Sequence, residues 1–234
     1  TIRFAVERVA GRVPVIAGSG GNNTAKAIAD SKKAQELGAD ALLVVTPYYN
    51  KCTQGGLYAH FAAIDAAVDL PIIVYNVPGR TGVNIQPATM KKLATLPHVV
   101  GLKEASGNIE QITEIARLCP GLDLYSGNDD HVVPLLSLGG IGVISVTANV
   151  CPREVHDMVM AFLDGDLARS RALQFKLNPL SKNLFTEVNP IPVKAAVGLL
   201  GYDVGTPRLP LTPMSEAPLA ALKAEMAALG LIKE

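Results

Sequence analysis

Of 234 residues only three are cysteine, Cys52, Cys119 and Cys151. They are odd in number, far apart and free of any C-x-x-C pattern. That excludes a disulfide frame or a zinc site and points to the reduced thiols of a cytoplasmic protein. No sign of charge dominates, since 21 basic residues face 21 acidic ones. A neutral chain has no electrostatic pull on nucleic acid or on an anionic membrane. Long hydrophobic runs are missing too: stretches such as 41–45 are far too short to span a bilayer. No segment has the pattern of a secretory signal. The histidines His60, His98, His131 and His156 are scattered, without an H-E-x-x-H arrangement or an acidic cluster, so neither metal nor cofactor is expected. The nearest approach to a dinucleotide loop, Gly18-Ser19-Gly20-Gly21, lacks the third glycine and reads as a flexible strand-to-helix turn. Low-complexity segments and long linkers are also absent. What remains is 49% hydrophobic and 18% charged, an ordinary globular composition. The expected partners are a small molecule and another copy of the chain.

One unit repeats. Short β-branched runs at 13–17, 41–45, 71–75, 99–102, 122–125 and 141–146 are apolar nearly throughout, as fully buried parallel strands require. Helical patterns at 24–37, 56–68, 87–96 and 109–119 separate them, with stops such as Gly38 and Pro97. Strand starts recur roughly every 20–30 residues, near the ~30 residues per unit of a (β/α)₈ TIM barrel. An open doubly wound sheet is the rival arrangement. From residue 153 on, the sequence reads as helices at 153–163, 167–184, 192–200 and 217–229, with core-facing spacing over 167–173. The expected class is therefore α/β: a TIM barrel over residues 1–151, then a last barrel helix and a helical C-terminal domain over 152–234.

Chemistry in such a barrel sits at the C-terminal ends of the strands. There Lys103 is unusual, because it follows the buried run Val99-Val100-Gly101-Leu102 directly. A lysine in that position is costly unless paired or neutral, and burial lowers an amine pKa, which suits a Schiff-base nucleophile. A salt bridge to Glu104 or Asp129 would equally account for it. Tyr75 ends the neighbouring strand, where a phenol can pass protons to and from an amine or be a core residue with its hydroxyl at the surface. Arg80 lies in a Pro-Gly-rich loop beside this mouth. A guanidinium there suits a carboxylate-bearing substrate, though many loop arginines are simply solvated.

Several stretches together resemble the family of dihydrodipicolinate synthases and N-acetylneuraminate lyases. They are Thr46-Pro47-Tyr48-Tyr49-Asn50, Tyr75-Asn76-Val77-Pro78-Gly79-Arg80-Thr81-Gly82, Gly101-Leu102-Lys103-Glu104-Ala105-Ser106-Gly107, Gly142-Val143-Ile144-Ser145-Val146-Thr147-Ala148-Asn149 and Asn189-Pro190-Ile191-Pro192-Val193-Lys194. The resemblance implies that Lys103 forms an imine with pyruvate and that Tyr75 relays protons. It implies that Tyr49 joins that relay across a subunit interface and that Arg80 engages the carboxylate of aspartate semialdehyde. Ile144 would line the pyruvate pocket, with Gly127 and Asn128 nearby. The product would be hydroxy-tetrahydrodipicolinate, on the route to diaminopimelate and lysine, made by a homotetramer.

Two departures accompany it. The family pattern has two strands ahead of the run at 13–17, the second with a Gly-Thr-Thr-Gly-Glu motif whose threonines hold the pyruvate carboxylate. The present sequence opens Thr1-Ile2-Arg3-Phe4 and has no such motif, so six of eight strands and an N-terminally incomplete barrel are expected. Lysine-inhibited members bind lysine near Asn22 and Tyr48 and have an acidic residue where Lys26 stands, which implies resistance to lysine here. Two alternatives stay in view. One is an aldolase for sialic acid or a keto-deoxy sugar acid, disfavoured by Arg80. The other is a truncated, non-catalytic homologue that only oligomerises.

Overall fold

The computed structural model describes residues 1–233, so Glu234, the end of the expected helical segment, lies outside it. The chain divides into two compact units, Thr1–Gly127 with Ser137–Ile141, and Asn128–Leu136 with Gly142–Glu234.

The first unit opens with helix α1 (Ile2–Val9), then alternates strand and helix: β1 (Ile16–Gly18), α2 (Thr24–Glu36), β2 (Ala41–Val45), α3 (Gln54–Asp65), β3 (Ile72–Asn76), α4 (Pro78–Thr81), α5 (Pro87–Leu93), β4 (Val99–Glu104), α6 (Ile109–Leu118) and β5 (Asp123–Ser126). These strands lie side by side in chain order and every pair is parallel. Helix starts are set locally. The side chains of Asn23, Thr53 and Asn108 accept from the backbone N–H of Lys26, Gly56 and Gln111, satisfying donors that the first turn leaves open. Gly38 follows α2 at φ +85°, a conformation that favours glycine and closes the helix at the expected stop.

The expectation of strands buried on both faces needs correction. In β2, Ala41, Leu43 and Val45 are half-buried while Leu42 and Val44 are fully buried, and Ile16 and Val100 are exposed. One face of each strand is covered by helices through Leu57, Phe61, Ile64, Met90, Leu93 and Ile112. The other carries the side chains that line a cavity. The Gly18–Gly21 turn is also less free than its composition suggests: a Cβ on Gly20 would fall 2.4 Å from the backbone nitrogen of Val45.

The second unit holds α7 (Val132–Leu136), β6 (Gly142–Val143), α8 (Pro152–Leu163), α9 (Leu167–Asn183), α10 (Ile191–Leu199) and α11 (Glu216–Ala228). Its core joins Val132, Val155, Met158, Leu177, Leu180, Ala196, Leu222 and Met226. Strand β6 is two residues long, where the apolar run 141–146 suggested six. The cause is Asp129, whose carboxylate accepts from the N–H of Val146 and Thr147 and from the Ser145 hydroxyl, so the chain turns into a 3₁₀ turn at Thr147–Asn149. The core-facing spacing expected over 167–173 is likewise corrected. Leu173 does pack against the core, but Leu167 is exposed, and the buried face of α9 is Ser170, Gln174, Leu177 and Leu180.

Cys119 and Cys151 are buried, and burial pushes both thiols up, Cys151 to about 11; Cys52 is half-buried. Among the described residues, no helix is long and apolar enough to cross a membrane, and no group of His, Cys, Asp or Glu is placed to hold a metal ion.

Candidate active site

Parallel pairing sets Val45 beside Tyr75, Tyr75 beside Lys103 and Lys103 beside Tyr125. Cross-strand partners point to the same side of a sheet, so these four form one row across β2 to β5. In that row the Lys103 amine sits 4.2 Å from the centroid of the Tyr75 ring, within the range of a cation–π contact. Burial raises the Tyr75 phenol above its ordinary value, and the positive charge of Arg80 partly opposes that rise. The phenol therefore keeps its proton at neutral pH beside a side-chain amine.

Arg80 is exposed. The loop expected around it is in fact the single helical turn α4, entered through Pro78 and closed by Gly82 at φ +72°. A cavity of about 450 Å³ is lined by Gly18, Gly20, Val45, Tyr48, Tyr75 and Arg80. The two glycines bring backbone rather than side chains to its wall. Thus the lining of the cavity offers both a phenol and a guanidinium, a pairing that suits a small carboxylate with an electrophilic carbon.

Gly127 touches the same place. A Cβ there would lie 3.2 Å from Lys103 Cε and 2.7 Å from Ala105 Cβ, so only glycine lets the lysine stem lie where it does. The two acidic groups weighed as partners of Lys103 each carry their own hydrogen bonds: Glu104 accepts from Asn76 and from the N–H of Ser106, and Asp129 from Ser145, Val146 and Thr147.

The remaining candidates come from other segments of the chain. Tyr49 is 91% exposed and holds φ +71°, a left-handed conformation uncommon outside glycine. Its side chain reaches solvent rather than Tyr75. Asn128 and Ile144 are half-buried residues of the second unit, Asn128 in extended backbone ahead of a 3₁₀ turn and Ile144 just past β6. Asn22 donates to the carbonyl of Tyr48 at 3.4 Å, and Lys26 forms an exposed 2.7 Å salt bridge to Asp30. Tyr125 was not among the expected site residues. Its ring lies 3.5 Å from where a Cβ on Gly101 would be, so it shares the face of Lys103; its phenol is raised by burial and by Asp123. The strand period of two from Lys103 through Gly101 to their neighbours on β5 would have indicated it.

Comparison with known proteins gives a consistent set of relatives. Residues 1–229 match the model of the dihydrodipicolinate synthetase family. The 4-hydroxy-tetrahydrodipicolinate synthase of Caldicellulosiruptor bescii is 61% identical over 234 residues, which take in 100% of this chain and 79% of the relative. That of Clostridium tetani is 54% identical over 235 residues, 100% of this chain and 80% of the relative. Among solved structures, dihydrodipicolinate synthase from Thermotoga maritima superposes with a TM-score of 0.96 at 46% identity, covering 99% of this chain and 80% of that one. The chloride-inhibited enzyme from Acinetobacter baumannii, complexed with pyruvate, gives 0.96 at 43% identity, with 99% and 80% coverage.

Proposed function

The chain belongs to the dihydrodipicolinate synthetase family, and we propose that Lys103 is the amine through which it works. The activity is that of a class I aldolase-type lyase, which condenses pyruvate with L-aspartate 4-semialdehyde to 4-hydroxy-tetrahydrodipicolinate in the first committed step toward diaminopimelate and lysine. The observation that carries the residue assignment is the Lys103 amine lying 4.2 Å from the Tyr75 ring centroid.

In the proposed sequence the Lys103 amine attacks the keto carbon of pyruvate, and water leaves as the imine forms. Tyr75, protonated because burial raises its phenol, donates to the departing oxygen and later takes the proton back. Loss of a methyl proton gives the enamine, which attacks the aldehyde carbon of the semialdehyde. The semialdehyde's own amine then attacks the imine carbon, closes the ring and releases Lys103. Arg80, in the lining of the same cavity, holds the second substrate's carboxylate. Tyr49, exposed in this chain, joins the relay of a neighbouring copy. Ile144, Gly127 and Asn128 shape the pyruvate pocket.

We read the fold as a (β/α)₈ barrel to which these six strands contribute, with 1–151 as barrel and 152–234 as last helix and helical domain. A cytoplasmic homotetramer, a dimer of dimers, completes the proposal. Arg80 favours the semialdehyde over a sugar acid as second substrate.

The test is to incubate the protein with pyruvate, reduce with borohydride and locate the adduct by mass spectrometry. Modification of Lys103 is expected; modification elsewhere, or none, overturns the assignment.

A further inference from the structure

For a phenol to serve an amine on the next strand, both must keep one face and one separation. Strand register decides both, because a slip of one residue turns every side chain to the opposite face. Register is under pressure here. Ile72 pairs with Val99 but Ile73 pairs with Gly101, so Val100 is an extra residue bulged out of β4 just upstream of Lys103.

One step beyond the Tyr75–Lys103 pair, Asn76 and Glu104 are also cross-strand partners, facing the covered side and 0% and 1% exposed. The Asn76 amide donates to Glu104 Oε2 at 3.0 Å and to Asn84 Oδ1 at 2.9 Å, and its oxygen accepts from the N–H of Ile85 at 3.0 Å. Glu104 Oε1 accepts from the N–H of Ser106 at 2.5 Å, and Asn84 donates to Gln111 at 2.7 Å. A single buried amide thus ties the residue after Tyr75, the residue after Lys103 and the return of the segment that carries Arg80.

We propose that Asn76 and Glu104 are positioning residues for the condensation: the hydrogen bond between them, made behind Tyr75 and Lys103, sets the spacing of phenol and amine and anchors the Arg80 turn through Asn84 and Ile85. This rests on the reading of Lys103 as the imine-forming lysine. Displacing reacting groups by about 1 Å costs on the order of a hundredfold in rate, so the effect falls on rate rather than on whether Lys103 can react.

The test follows the rate of borohydride-trapped pyruvate adduct on Lys103 at saturating pyruvate, with condensation kcat and thermal unfolding measured alongside. Asn76→Asp sets two carboxylates against each other and is expected to slow trapping and kcat on the order of 10- to 100-fold per folded molecule, with the same final adduct stoichiometry. Asn76→Asp combined with Glu104→Gln restores a donor and an acceptor with their roles exchanged, the Asn84 and Gln111 amides turning over to match. Its expected rate lies within a few-fold of the unmodified protein. Should Asn76→Asp fail to fold, Glu104→Gln alone, which keeps the shape, is expected to slow trapping several-fold. A lowered Tm with unchanged trapping rate and kcat overturns the positioning role, as does a double variant as slow as the single. Absence of any Lys103 adduct in the unmodified protein instead overturns the imine reading, and this proposal with it.

Discussion

The ends of β3 and β4 and the end of β2 are built in opposite ways. Behind Tyr75 and Lys103 stands a polar layer in which Asn76 donates to both Glu104 and Asn84, and Asn84 donates to Gln111. Beyond β2, Tyr49 has 91% of its surface exposed and a left-handed backbone. A side chain held from behind keeps its geometry in the isolated chain. A strained, exposed one needs an outside surface to gain from its conformation. The comparison separates what one chain builds alone from what a second copy would complete.

Four substitutions and one addition would sharpen or break that contrast. Tyr75→Phe removes the proton carrier at the supported end while keeping the ring under Lys103. Condensation is expected to fall about 10²- to 10⁴-fold, measured as kcat, with adduct on Lys103 still formed slowly; a loss below tenfold would place the proton transfer elsewhere. Tyr49→Phe at the unsupported end is expected to cost roughly 10- to 100-fold in kcat without moving Tm. A dilution series should show unmodified protein losing activity as copies separate. Full activity in the variant would break the proposed sharing between copies. Gly127→Ala pushes a methyl against Ala105 and the Lys103 stem. It should destabilise by about 1–3 kcal/mol, seen as a Tm lowered by several degrees, with slower borohydride trapping. Smallest of all, free lysine at sub-millimolar concentration is expected to leave most activity intact, as the family resemblance implies for a chain with Lys26 in place of an acidic residue. Lys26→Glu should raise sensitivity to lysine in the same assay.

The supported end was the more legible of the two in the sequence. An apolar run ending in lysine is a conflict between burial and charge that shows without a structure, and Tyr75 ends the neighbouring run in the same way. The layer behind them left no such trace. Asn76, Asn84, Glu104 and Gln111 are amides and an acid scattered along the chain, with no period to mark that they meet. Nothing about Tyr49 as a residue type announces a positive φ. Two misreadings share one cause, polar groups overriding an apolar pattern. The carboxylate of Asp129 captures the N–H groups that would have lengthened β6. In α9, Ser170 donates to the Met158 carbonyl and Gln174 to that of Asp129, drawing a polar face inward where leucines were expected.

The three thiols divide along the same line. Cys151, pushed up to about 11, is ionised at neutral pH to about one part in ten thousand, and Cys119 is buried with its thiol likewise raised. A thiol-reactive dye should therefore find one address per chain, Cys52, three residues along from Tyr49. If a second copy covers the tip beyond β2, as proposed, labelling speed at that single position becomes a built-in gauge of assembly.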